Sequence, residues 1–154
     1  VETARGIDDL LQRHRGSRVY FDTNCFIYVV EGVERYRPVL EPLMNAAATG
    51  AVTGVTGEIT LAEVLVKPLR DQEAQQVLLY KQMLADRQPI TLVPITQTIW
   101  ESAAALRARL PVRLPDAVHL AAARHAGCAL FVTNDGALTA LPDLEILHLD
   151  AALA

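Results

Sequence analysis

Apolar residues along this chain alternate between short unbroken runs and longer stretches in which they recur every three or four positions. The runs read as strands buried on both faces, the stretches as helices packed against them. Ile7, Leu10, Leu11 and His14 predict a short helix that Gly16 stops, and the run Val19 to Phe21 predicts a first strand over 18–22. Helices are expected over 24–31 and 38–49, the second closed by Gly50, followed by a second strand over 51–55. Ile59, Ala62, Val64 and Leu65 predict a helix from Glu58 to Lys67 that Pro68 ends. Val77, Tyr80, Met83 and Leu84 form the inward stripe of another over 72–86. A third strand over 90–95 precedes a helix over 96–110 that carries the single tryptophan, Trp100. The alanine-rich stretch 114–126 predicts a closely packed helix with Gly127 at its C′ position, then a fourth strand over 129–133 and a fifth over 144–149. Strands alternating with helices imply right-handed crossovers. The expected fold class is therefore α/β, a three-layer α/β/α sandwich around a central, mostly parallel sheet of four to five strands.

Composition narrows the picture. With 154 residues, 51% of them apolar, the chain can bury one substantial core. No apolar stretch approaches the roughly 18 to 20 residues that span a bilayer, and the first residues lack a signal-peptide pattern, so a soluble cytoplasmic protein without membrane contact is expected. Cys25 and Cys128 lie in apolar surroundings with no paired spacing and read as buried small hydrophobes rather than a disulfide or zinc site. A net charge of −4 argues against a broadly basic surface. Arg107, Arg109, Arg113 and Arg124 nevertheless flank Asp116 within one stretch, where guanidinium groups suit phosphate oxygens or serve as ordinary solvated side chains.

The candidate chemistry lies in four acids. Asp22 follows the first strand, Asp135 follows the fourth, Asp116 opens the helix leading into the fourth, and Glu63 lies one to two turns into the helix after the second. Each has a local structural use: Asp22 and Asn24 as helix caps, Thr60-x-x-Glu63 as a capping box, Pro115-Asp116 as a helix opening, Asn134-Asp135-Gly136 as a turn. In an open parallel sheet, however, ligands bind outside the carboxyl ends of the strands, and all four acids can reach that edge. Gathered carboxylates repel and need a cation, and an all-oxygen set selects magnesium or manganese over zinc or copper.

The order Asp22-Thr23-Asn24, Thr60-x-x-Glu63, Leu114-Pro115-Asp116-Ala117-x-His119-Leu120-Ala121 and Thr133-Asn134-Asp135 resembles the PIN-domain ribonucleases. The likeness is greatest to the VapC-type toxins of bacterial toxin-antitoxin pairs, and it runs from the first strand to the end. It implies a parallel sheet between helices, a Mg2+ or Mn2+ site, and hydrolysis of RNA phosphodiester bonds that leaves a 5′-phosphate and a 3′-hydroxyl. By position, Asp22, Asp116 and Asp135 resemble the family's metal-holding acids and Glu63 its helical glutamate, while Asn24 and Thr133 would orient the carboxylates and Arg113 would steer the RNA backbone. The resemblance also implies a homodimer and a small antitoxin whose C-terminal segment occupies the groove. Such toxins begin almost at the first strand, whereas here that strand is expected at residue 18. Residues 1–17 are therefore expected to be a helical extension and 18–154 the PIN-like nuclease domain; the non-methionine first residue points to a processed or engineered start.

Other residues have plainer readings. His119, three after Asp116, is expected as a hydrogen-bonded buried histidine rather than a ligand, and Trp100, Tyr80 and Met83 as core or dimer contacts rather than base-stacking platforms. A Mg2+-dependent phosphatase is disfavoured because Asn24 stands where a second aspartate would, and no lysine follows the fourth strand. A catalytically silent PIN-like module binding RNA or protein is the remaining alternative.

Overall fold

Five strands, β1 (Arg18–Phe21), β2 (Thr53–Gly57), β3 (Ile90–Val93), β4 (Leu130–Thr133) and β5 (Glu145–His148), form one sheet in the order β3-β2-β1-β4-β5, with every neighbouring pair parallel. The computed structural model describes residues 2–85, 87, 89–139 and 141–153. The helices are α1 (Glu2–Arg13), α2 (Thr23–Glu31), α3 (Arg37–Thr49), α4 (Glu58–Arg70), α5 (Ala74–Met83), α6 (Gln97–Arg109), α7 (Leu114–His125) and α8 (Leu149–Leu153), with a 3-10 turn at Glu34–Tyr36. The expected end of α5, Asp86, lies outside the described residues.

Side chains alternate across a strand, so the two faces of the sheet carry separate cores. Val19, Phe21, Leu130 and Val132 pack with Leu10, Phe26, Leu43, Val64, Tyr80 and Leu149 on one face. Tyr20, Val55 and Phe131 pack with Ile99, Leu106, Val118 and Leu120 on the other. Helices thus cover both faces, as the unbroken apolar runs of β1 and β4 require. Each fully buried Leu or Phe contributes roughly 1.5–3 kcal/mol, and central β1 and β4 bury Phe21, Leu130 and Phe131 completely.

Chain order fixes where a ligand could enter. From β1 the chain steps to β2 and β3 on one side and returns to β4 and β5 on the other, leaving a crevice outside the carboxyl ends of β1 and β4. Glycine at 57 follows from close approach: a Cβ there would lie 2.9 Å from the Tyr20 hydroxyl and 3.2 Å from Cδ1 of Ile95.

Several boundaries differ from the sequence expectation. The second strand is shifted from 51–55 to Thr53–Gly57, because Ala51 O and Val52 N are already bonded to Gly16 N and Ala46 O, so pairing with β1 begins at Thr53. Pro68 does not end α4. It falls in the last turn, where it removes one donor, and the helix runs to Arg70 before Asp71, Gln72 and Glu73 close on Lys67, Leu69 and Pro68. α1 begins earlier than expected and ends at Arg13; Ile7 and Leu10 are buried in the α3 core, and Arg13 and His14 both reach Glu145 of β5, at 2.9 and 2.5 Å. Of the two places expected for Trp100, core or dimer contact, its 48% exposure on α6 rules out the core.

Candidate active site

Register brings the first acid and its support together. Tyr20 pairs with Phe131 and Phe21 with Val132, so the next positions, Asp22 and Thr133, face each other across the strand ends. The buried Thr133 hydroxyl donates to Oδ2 of Asp22 at 2.7 Å and accepts from the backbone N–H of Asp135 at 3.0 Å. One threonine therefore ties two of the four acids to the end of β4. Oδ1 of Asp22 accepts from Thr23 N at 2.7 Å, capping α2, so the local and the site roles of Asp22 coexist. Asp135 is held in its turn by accepting from Ala137 N, and Asn134 is turned away, donating to the hydroxyls of stacked Tyr28 and Tyr36.

The capping-box expectation for Glu63 is not met. α4 starts at Glu58 with Gly57 as its N-cap, so Thr60 lies inside the first turn and donates to Thr56, whose hydroxyl passes on to Phe21 O. Glu63 is thereby free to project toward the strand ends, where its Oε1 accepts from the Thr23 hydroxyl at 2.8 Å and meets Nε2 of His119 at 2.6 Å. Burial alone would raise the Glu63 carboxyl, but the hydrogen bond and charge of His119, with Thr23 and Arg113, hold it below its ordinary value.

Asp116 lies in the first turn of α7 and pairs with Nε of Arg113 at 3.2 Å. Burial, with a smaller contribution from the neighbouring Asp135, raises its carboxyl above the ordinary value even against Arg113. His119, one turn on, is 1% exposed and hydrogen-bonded, as expected. Burial disfavours its imidazolium, yet the bond to Glu63 and the charges of Asp22, Glu63 and Asp116 together hold its pKa above the usual one.

Asp22, Glu63, Asp116 and Asp135 all line one open cleft of about 500 Å³, together with Thr23, Asn24, Ile27 and Arg113. Among the described residues no three acid or imidazole side chains close on a single point as a ready-made cation cage. Their charges are met instead by Arg113 and His119. The four acids offer only carboxylate oxygens, a donor set that suits a hard divalent ion, and such an ion among them would offset their mutual repulsion. Asn24, expected to orient an acid, is exposed and among the described residues bonds to none of them; Thr23 performs that task. Tyr20 carried no sequence signal, and Thr23 entered only as part of the Asp22-Thr23-Asn24 motif without a role of its own, because both roles depend on contacts with residues many positions away.

A model of the PIN domain family matches residues 19–144. No curated protein matches the chain. Among solved structures, a toxin-antitoxin complex from Klebsiella pneumoniae is 23% identical, with a TM-score of 0.62 over 82% of this chain and 94% of that one. VapBC2 from Rickettsia felis, bound to a DNA fragment from its promoter, is 17% identical, with a TM-score of 0.65 over 85% and 98% of the two chains. At these identities the likeness speaks for the fold.

Proposed function

Because the chain belongs to the PIN domain family, we propose that it is a divalent-metal-dependent endoribonuclease, the VapC-type toxin of a type II toxin-antitoxin pair. The observation that carries this reading is the convergence of Asp22, Glu63, Asp116 and Asp135 on one cleft at the switch point of the sheet. Asp22, Asp116 and Asp135 would hold Mg2+ or Mn2+, with Glu63 completing the set. When bound, such an ion neutralises charge on a phosphoryl group and makes water a better nucleophile. Thr133 and Thr23 hydrogen-bond the carboxylates of Asp22 and Glu63, and Glu63 would direct the attacking water. Water adds to phosphorus in line as the bond to the 3′ oxygen breaks, giving a 5′-phosphate and a 3′-hydroxyl. Arg113, whose side chain is 81% exposed at the mouth, steers the RNA backbone.

The Arg113–Asp116 pair also supports an antitoxin partner, since it displays a guanidinium seated on a site acid. A basic side chain from an antitoxin's C-terminal segment would use the same chemistry to silence the cleft. Exposed Val66, Leu69, Leu78 and Leu79 on α4 and α5 supply apolar surface of the kind a homodimer covers. Among the described residues no helix is long and apolar enough to cross a membrane, and both cysteines are free, which suits action in the cytoplasm. A phosphatase is disfavoured by the lining of the cleft, whose cation is Arg113, while Lys67 is paired with Glu31.

The test is cleavage of a total RNA pool by purified protein with Mn2+ or Mg2+, beside chelator and Asp116→Asn controls. Metal-dependent fragments absent from the mutant are expected. Calorimetric Mn2+ binding without cleavage of any RNA would favour the silent module, and absence of both would overturn the assignment.

A further inference from the structure

Behind the cleft lies a buried polar chain that the four acids do not account for. The N–H of Gly57 donates to the Tyr20 hydroxyl at 2.9 Å, that hydroxyl lies 2.6 Å from Nδ1 of His119, and Nε2 of His119 lies 2.6 Å from Oε1 of Glu63. Tyr20 is fully buried, stacked on Phe131 with ring centroids 5.0 Å apart, so its hydroxyl has little freedom. The missing side chain at 57 is what admits that hydroxyl.

Hydrogen-bond logic assigns the protons. Glu63 is an acceptor when ionised, so the facing Nε2 must carry hydrogen; a bare nitrogen at 2.6 Å would set two lone pairs against each other. Nδ1 then either accepts from the Tyr20 O–H or, in the imidazolium, donates to the Tyr20 oxygen. In both states Tyr20 locks the ring with Nε2–H aimed at Glu63. Thr23 holds the same oxygen of Glu63, leaving Oε2 for the cleft.

Building on the nuclease reading of the cleft, we propose that His119 is a positioning residue, braced by Tyr20 and Gly57, whose Nε2–H fixes the Glu63 carboxylate so that one oxygen is engaged behind the site and the other faces substrate. Side chains that orient carboxylates at metal sites are worth about 10–100-fold in metal affinity or activity. His119 is buried behind the cleft and acts chiefly through Glu63; its Nε2 also lies 3.1 Å from the Thr23 hydroxyl and 3.7 Å from Oδ1 of Asp22.

The experiment combines 15N NMR of the histidine rings with Mn2+ calorimetry and RNA cleavage kinetics on the full chain, Tyr20→Phe, His119→Gln and His119→Ala. Nε2 of His119 should be protonated at every pH where the protein is folded. Tyr20→Phe, which removes the brace and also leaves the Gly57 N–H without that acceptor, should broaden or shift the ring signals, lower kcat about tenfold and leave KM for RNA within about twofold. His119→Gln, which keeps a donor near the Nε2 position, should retain several-fold more activity than His119→Ala. A bare Nε2 in the wild type overturns the proposal, as does a Tyr20→Phe protein that is less stable but unchanged in kcat and ring signals. Should His119→Ala fail to fold, Tyr20→Phe decides. Should the wild type neither bind Mn2+ nor cleave RNA, the nuclease reading falls while the ring signals still decide whether Nε2–H faces Glu63.

Discussion

Thr133→Val isolates the most economical joint in the site. Valine keeps the β-branched shape in a fully buried position but removes the hydroxyl that donates to Oδ2 of Asp22 at 2.7 Å and accepts from Asp135 N at 3.0 Å. A hydrogen bond to an ionised group contributes roughly 1.5–3 kcal/mol, and a buried polar group left without a partner costs about 1–3 kcal/mol. Asp135 is only half-buried, so water recovers part of the second loss. The expected cost is therefore about 2–4 kcal/mol, which for a chain of this length lowers Tm by roughly 5–15 °C. Urea unfolding at neutral pH measures it as a lower midpoint at unchanged slope, and Mn2+ affinity should fall about 10–100-fold as Asp22 and Asp135 lose their common anchor. Thr133→Ser, which keeps the hydroxyl, should hold most of the metal affinity. A valine variant within about 0.5 kcal/mol of wild type and unchanged in Mn2+ affinity would refute the anchor, since ordinary surface substitutions cost no more than that.

Three other perturbations probe separate parts of the molecule. Burial and Asp135 hold the Asp116 carboxyl above its ordinary value, so its stabilising contribution is present below the ordinary aspartate range and lost as pH rises through the raised value. Asp116→Asn in chelator should accordingly melt no lower than wild type at pH 7, with any advantage vanishing on acidification; a clearly lower melting point would contradict the crowding. Glu145 is pushed up by burial, but His14 and Arg13 bring it below its ordinary value, so its contribution is present above the ordinary glutamate range and lost as pH falls through the lowered one. With the pair partly solvated, Glu145→Gln should cost at most about 1 kcal/mol and chiefly speed amide exchange in α1, which acidification of the wild type should mimic; indifferent α1 amides would show that the pair does not hold the helix. Gly57→Ala places a Cβ against the Tyr20 hydroxyl and Ile95 and should cost about 1–3 kcal/mol. Part of that should be recovered in a Tyr20→Phe background, and strict additivity would argue against the clash.

Much of the architecture was legible locally. β1 and β4 are unbroken apolar runs because a central strand of a parallel sheet is buried on both sides, and α7 is alanine-rich because it packs closely under the site. Asp22, Asp116 and Asp135 stand at element ends, which sequence pattern marks well. Harder to see were features set by distant partners. Pro68 looked like a stop, but in a last turn it removes a single donor; Thr60-x-x-Glu63 looked like a cap, but the helix starts at Glu58, as its apolar spacing indicates, and Thr60 falls inside the first turn, bonded to Thr56 of β2. Asn24 looked like support for an acid, yet the start of α2 gives that position to Thr23.

The sequence by itself determined the alternation of elements, the fold class, and the set of acids with their order along the chain, since periodicity and end signals are properties of neighbours. Only the tertiary structure decided that Asp22 and Asp135 share the hydroxyl of Thr133, that Arg113 answers Asp116, and that Tyr20 aims His119 at Glu63. Those choices depend on parallel register and on which residues meet across a buried face, and a hydrogen bond of under 3 Å between residues about a hundred positions apart leaves no periodic trace in the chain.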